Sequence, residues 1–139
     1  MSSSEVKIVA AQREQSKKSK KATLDLLRGK KPRSKTVTIQ IDGEQVEMVF
    51  SAISSHELDA LQAKHTPSTE QRAKGSSFNP DTFPPALVAA CSVDPKITEE
   101  EAKEIWASDA WSMGELAYLF DTVSGLCTEG LNVPFTASD

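Results

Sequence analysis

The side chains able to support a metal site, a redox pair or acid–base work are two histidines, two cysteines and a run of three glutamates. His56 and His65 have no cysteine or carboxylate at metal-ligand spacing. Zinc needs four well-spaced ligands, or three and a water, so the pair does not spell a metal site. Glu99, Glu100 and Glu101 are adjacent, which points them in different directions around a helix, and no His or Asp follows one turn later. With Thr98 they read as a capping box at the positive end of a helix dipole. Cys91 and Cys127 both fall in apolar helical patterns and read as buried thiols; nothing in the sequence points to the oxidising compartment that a disulfide requires. Serine is abundant, but neither histidine stands in a nucleophile-and-base context. The chain has no Gly-rich phosphate loop, Cys-x-x-Cys, His-Glu-x-x-His or Gly-x-Ser-x-Gly. These residues point to a protein that is not an enzyme and needs neither cofactor nor metal.

The elements that must carry these residues follow from patterning. TVTIQI, then Asp42-Gly43, then EQVEMVF alternates apolar and polar residues on either side of a two-residue turn signal. A turn at 42–43 pairs Ile41 with Glu44, Ile39 with Val46 and Val37 with Met48. That register gathers Val37, Ile39, Val46 and Met48 on one face and Thr38, Gln40, Gln45 and Glu47 on the other. An isolated hairpin is marginal, so the apolar face must cover helices or meet another subunit's strand. Ser54 or Ser55 opens a helix ending near Lys64, with Glu57 at capping-box spacing and Ile53, Leu58 and Leu61 as its buried stripe. Thr66-Pro67 precedes a short helical piece over 68–73, and Gly75-Ser76-Ser77 is a loop.

The stretch FNPDTFPPALVAACSVDPKIT, residues 78–98, organises the rest. Asn79-Pro80 and Asp94-Pro95 are turn dipeptides. Between them, Asp81 or Thr82 is placed to cap a helix whose first turn holds Pro84 and Pro85, where the missing amides have no intrahelical partner anyway. A further helix begins at Thr98, with Ala102, Ile105 and Trp106 inward. Ser112 and Glu115 then form a capping box. After it Met113, Leu116, Leu119, Phe120, Val123, Leu126 and Cys127 recur at helical steps, the strongest amphipathic pattern in the chain. Gly130 stops it. Trp106 and Trp111 flank the turn and read as core packing at that corner or as an interface anchor.

Length and charge bound the whole. An apolar fraction of 38% over 139 residues leaves only a modest core, so part of the chain lies outside it. Residues 1–35 carry eleven Lys/Arg against three acids, and residues 36–139 carry five against seventeen. The asymmetry marks a basic arm on an acidic body. Residues 5–28 have sparse apolar points, with only 22–28 expected to hold as helix before Gly29 and Pro32. The basic run 17–35 could neutralise phosphates, but it contains no aromatic residue for base stacking; a solvated arm contacting an acidic body is the preferred reading over nucleic-acid binding. The chain has no secretory h-region and no apolar run of bilayer length, so a soluble intracellular protein without membrane contact is expected. The fold class expected is α+β: one N-terminal β-hairpin followed by a mainly α-helical body of four or five helices, with a basic N-terminal arm. Its parts would be an arm over 1–35, a hairpin and helical domain over 36–131, and an irregular tail over 132–139.

Several pieces, in this order, resemble the tail assembly chaperones of long-tailed actinobacterial phages. They are Thr-Pro-Ser-Thr-Glu-Gln-Arg at 66–72, Phe-Asn-Pro-Asp-Thr-Phe-Pro-Pro-Ala-Leu at 78–87, Val-Asp-Pro-Lys at 93–96, Glu-Glu-Ala at 100–102 and Trp-Ser-Met-Gly-Glu-Leu at 111–116. The resemblance covers roughly residues 36–127. It implies a non-enzymatic chaperone, absent from the finished particle and acting in the host cytoplasm. Such a protein binds the apolar, helical tape measure protein, keeps it soluble and helps deliver tail tube subunits; many relatives also have a longer frameshifted product, and this chain would resemble the short one. Residues expected at the client are Phe83, Trp106, Trp111, Met113, Leu116, Leu119, Phe120 and Val123. Self-association into a homo-oligomer is assigned to Lys17, Lys18, Lys20 and Lys21 of the arm and to Val37, Ile39, Val46 and Met48 of the hairpin. The competing readings are a structural tail or head–tail connector subunit and a nucleic-acid-binding regulator.

Overall fold

A computed structural model of the chain describes residues 19–129. Two compact units are distinguished, Met1–Lys31 and Pro32–Asp139. In the first, α1 (Leu24–Arg28) is a single helical stretch with Thr23 as its N-cap and Gly29 after its last turn. The Thr23 hydroxyl accepts the Leu26 amide, 3.2 Å. Of the assigned lysines, Lys17 and Lys18 lie outside the described residues, whereas Lys20 and Lys21 are exposed.

The second unit opens with the hairpin of β1 (Ser34–Ile41) and β2 (Glu44–Ser51). Asp42 and Gly43 both take positive φ, 52° and 83°, the backbone that a two-residue turn between twisted strands demands. The register is the expected one: Ile41 pairs with Glu44, Ile39 with Val46 and Val37 with Met48. Val37 and Phe50 are buried on the inner face, with Ile39, Val46 and Met48 partly so. The chain's own helices cover this face, since Val37 and Phe50 share one core with residues of two helices and Met48 packs against it. Val37, 3% exposed, is thereby closed to contact with another subunit. The fold also adds a strand that the sequence did not announce: β3 (Ser92–Asp94) pairs antiparallel with β2, with a bulge between Val49 and Phe50. The sheet order is β1-β2-β3, which leaves β1 as an edge strand.

Among the described residues five helices follow the hairpin: α2 (Ser55–Lys64), α3 (Thr69–Ala73), α4 (Phe83–Cys91), α5 (Glu99–Ala107) and α6 (Met113–Thr128). The centre is α4. Every residue of it except Ala90 is buried, and a helix that is apolar all round has to be wrapped on all sides. It packs against α2, α5 and α6. Its start shows why proline changes capping. Thr82 stands at the N-cap, as anticipated, yet its side chain makes no cap bond. An N-cap oxygen normally accepts the amides two or three positions on, and those positions are Pro84 and Pro85, which have none. The turn is held instead by Asn79, whose carbonyl accepts the Phe83 amide at 3.0 Å and whose side chain accepts the Asp81 amide at 2.9 Å.

The other helices start on side-chain caps. Ser68 with Gln71, Thr98 with Glu101 and Ser112 with Glu115 are complete capping boxes. At α2, Ser54 accepts the Glu57 amide, but Glu57 takes the Ser54 hydroxyl in place of its amide, so this box is half formed. Buried Ser92 is fully partnered where α4 ends: its hydroxyl donates to Ala89 O at 2.7 Å and accepts the Ile97 amide at 3.0 Å. Phe78, Phe83 and Phe120 form an aromatic cluster with centroids 4.7 to 6.1 Å apart, joining the loop before α4 to α6.

Leu87 lies in the middle of α4 with 1% of its surface exposed, whereas Met113 is 88% exposed. Leu87→Ala is expected to cost about 2–5 kcal/mol through lost burial and the cavity left behind. Met113→Ala is expected to stay within about 0.5 kcal/mol. Urea unfolding of the two variants checks the contrast.

Candidate functional site

The structure distributes the chemically capable side chains over several separate contacts. His65 follows the last turn of α2, and its side chain is only 12% exposed. Its Nδ1 lies 2.9 Å from the Thr82 hydroxyl and its Nε2 lies 3.0 Å from a Glu99 carboxylate oxygen. Nε2–H donates to the Glu99 carboxylate, and Nδ1 shares a hydrogen bond with the Thr82 hydroxyl. The ring also lies 6.4 Å from that of Phe83. One imidazole thus ties together the end of α2 and the starts of α4 and α5. Sequence spacing could not show this, because His65 and Glu99 belong to different helices. His56 is exposed in the first turn of α2. The three adjacent glutamates diverge: Glu99 meets His65, Glu100 meets Lys103 at 3.4 Å and Glu101 closes the cap of α5. Among the described residues, no group of three or more His, Cys, Asp or Glu is placed to hold a metal ion. Nor is any helix among them long and apolar enough to cross a membrane.

The residues expected at a partner surface separate into two sets. Phe83, Leu119 and Val123 are 2% exposed or less and belong to the core, which corrects their assignment to partner contact. Trp106, Trp111, Leu116 and Phe120 are half-buried. Of the expected set, Met113 alone projects freely, and Tyr118, 47% exposed, joins it from outside that set. The helical stripe could not separate these positions, since a stripe wide enough to face a core also reaches its rim. The two tryptophans flank the α5–α6 turn but line different depressions. Trp106 faces one with Pro80, Pro85 and Lys103. Trp111 lines a groove of about 440 Å³ between β1 and the first turns of α6. Thr38, Ile39 and Gln40 form its strand side, and Gly114, Glu115 and Tyr118 its helix side. The groove is therefore an apolar and aromatic trough beside the open edge of the sheet.

The first turn of α6 is fixed by electrostatics as well as by hydrogen bonds. Glu115 accepts the Ser112 amide at 2.8 Å, and the Ser112 hydroxyl accepts the Glu115 amide at 3.2 Å. The Ser112 amide, then its side chain, hold the Glu115 carboxyl below the usual carboxylate range.

The chain is thus an α+β module with a wrapped central helix and an apolar groove at the sheet edge. Residues 24–127 match the family described as phage XkdN-like tail assembly chaperone protein, and the chain belongs to that family. The family is one of chaperones and not of enzymes. The match begins twelve positions before the stretch whose motifs carry the resemblance, and so includes α1. No curated protein and no solved structure matches the chain.

A depressed carboxyl pKa stabilises the folded state above its unfolded value and loses that contribution as pH falls through the folded value. Ser112→Ala removes the side-chain contribution and keeps the amide, so it should raise the Glu115 pKa only part of the way to its ordinary value, as followed by NMR titration. The loss of the cap itself should lower stability by about 1 kcal/mol at neutral pH.

Proposed function

We propose that this tail assembly chaperone binds the tape measure protein, keeps it soluble while the tail is built and promotes assembly of the tail tube. The observation that carries this reading is the groove of Ile39, Trp111 and Tyr118, with Met113 exposed beside it in the first turn of α6, in a member of a chaperone family. A long helical client exposes apolar stripes that aggregate unless covered. A trough with aromatic walls and a flexible methionine suits such a stripe, because aromatic anchors supply contact area and methionine adapts to irregular surfaces. Half-buried Leu116 and Phe120 on α6 would extend the contact, and Trp106 in its separate depression would offer a second anchor. The chain acts in the host cytoplasm and leaves before the particle is complete.

Many copies are needed along one long client, and the charge distribution supports their association. The arm, 1–35, is basic, the body over 36–131 is acidic, and 132–139 is a tail. Lys17, Lys18, Lys20 and Lys21 of one copy would meet the acidic body of another, while the open β1 edge with half-buried Ile39 offers a second contact.

Co-expression with the tape measure protein tests the client assignment. The wild-type chain should hold the client in the soluble fraction. A Met113→Ser/Trp111→Ala/Tyr118→Ser variant that remains folded by circular dichroism should weaken binding by about tenfold or more. Undiminished binding would remove the groove from the client surface. Stoichiometric recovery of the protein from purified particles by mass spectrometry would favour the structural connector subunit instead. Deletion of residues 1–35 should lower the sedimentation coefficient beyond the loss of mass alone and weaken the salt dependence of association; unchanged association would exclude the arm.

A further inference from the structure

We propose that Cys91 and Cys127 form a dithiol that closes to a disulfide by exchange with a low-molecular-weight disulfide, with Cys127 attacking and Cys91 resolving. The inference rests on the thiol geometry and is independent of the client assignment. These are the chain's two cysteines, 36 positions apart in sequence. The fold brings the last turn of α4 against the last turn of α6 and leaves their Sγ atoms 3.6 Å apart, both reduced. The sulfurs need to approach by roughly 1.5 Å to reach the disulfide bond length. Their surroundings are unequal. Cys91 is 1% exposed, while Cys127 is half-buried and reachable. Arg33 hydrogen-bonds the carbonyls of Leu126 and Glu129, at 2.9 and 3.1 Å, which sets a guanidinium at the turn that carries Cys127. The thiol equilibria support the same division of roles. The hydrogen bond from Cys91 lowers the Cys127 thiol against its partial burial, with the Ile53 backbone and the Arg33 charge acting in the lowering direction. Cys91 is pushed up by its bond to Cys127 and by burial. A reachable thiolate beside a buried protonated thiol is the arrangement of an attacking and a resolving cysteine.

The step balances without a further reactant. The Cys127 thiolate attacks one sulfur of glutathione disulfide, forming a mixed disulfide and releasing one glutathione thiolate. Cys91 then attacks the Cys127 sulfur, its proton passing to the second glutathione as that leaves as a thiol. Two protein thiols are oxidised by two electrons and one glutathione disulfide is reduced to two thiols. In a reducing cytosol the pair stays open, and an oxidising shift closes it. The closed form joins the central helix to the helix that walls the groove.

The test incubates the reduced full-length chain with glutathione disulfide and reads intact mass, free thiols and a non-reducing gel. The expected product is a monomer lighter by two hydrogens, without bound glutathione and with a raised thermal midpoint. Cys91→Ser should trap one glutathione on Cys127, and Cys127→Ser should leave Cys91 modified at least about tenfold more slowly. Wild-type chain that retains glutathione, links to a second chain or keeps both thiols unmodified would overturn the proposal. The wild-type readout needs no variant, so it decides the matter even if a serine variant fails to fold.

Discussion

Burial of α4 on all sides is the constraint from which the rest of the fold follows. A nine-residue helix is too short to be stable alone in water, and this one has no charged residue to present to solvent. Its stability has to come from being enclosed. The sheet contributes Val37 and Phe50 to that enclosure, and α6 contributes Leu119 and Val123. Ala102 of α5 is fully buried, where a small side chain permits close approach to α4. A modest apolar fraction suffices because it is concentrated around one element.

The prolines at the start of α4 link this packing to the polar contacts around it. Pro84 and Pro85 leave the Thr82 hydroxyl with no amide to cap, and that hydroxyl turns to His65. His65 in turn holds Glu99 in the first turn of α5. Residues in three separate helical regions are thereby registered by one ring, with both nitrogens partnered beside Phe83. Both ring nitrogens are engaged within the fold, and their contacts join the end of α2 to the starts of α4 and α5.

What the sequence revealed and what it withheld divide by range. The hairpin register, the Asp42-Gly43 turn and the caps at Thr98 and Ser112 depend on residues within a few positions of each other, and pattern suffices to read them. β3 escaped because three residues cannot display an alternation and because its pairing depends on where α4 delivers the chain. The His65–Glu99 contact and the approach of Cys91 to Cys127 escaped for the same reason, since each joins helices whose relative placement no local rule supplies. The stripe of α6 was visible, but its division into core and rim was not. Leu119 and Val123 meet α4, while Met113 precedes the region where α6 has anything to pack against.

That division explains how the groove can be both apolar and well ordered. A surface that binds a partner needs side chains left uncovered, and uncovered apolar side chains contribute little to their own placement. At the start of α6 the order comes from elsewhere. The Ser112–Glu115 box fixes the backbone through two reciprocal hydrogen bonds, both made at the solvent-exposed end of the helix. Further along the same helix, Leu119 and Val123 anchor it to the core. Trp111, partly packed against that core, holds the chain just before the cap. Polar capping on one side and core packing on the other therefore position Met113 and Tyr118 without covering them, and the open edge of β1 beside them carries no bulge or proline to close it.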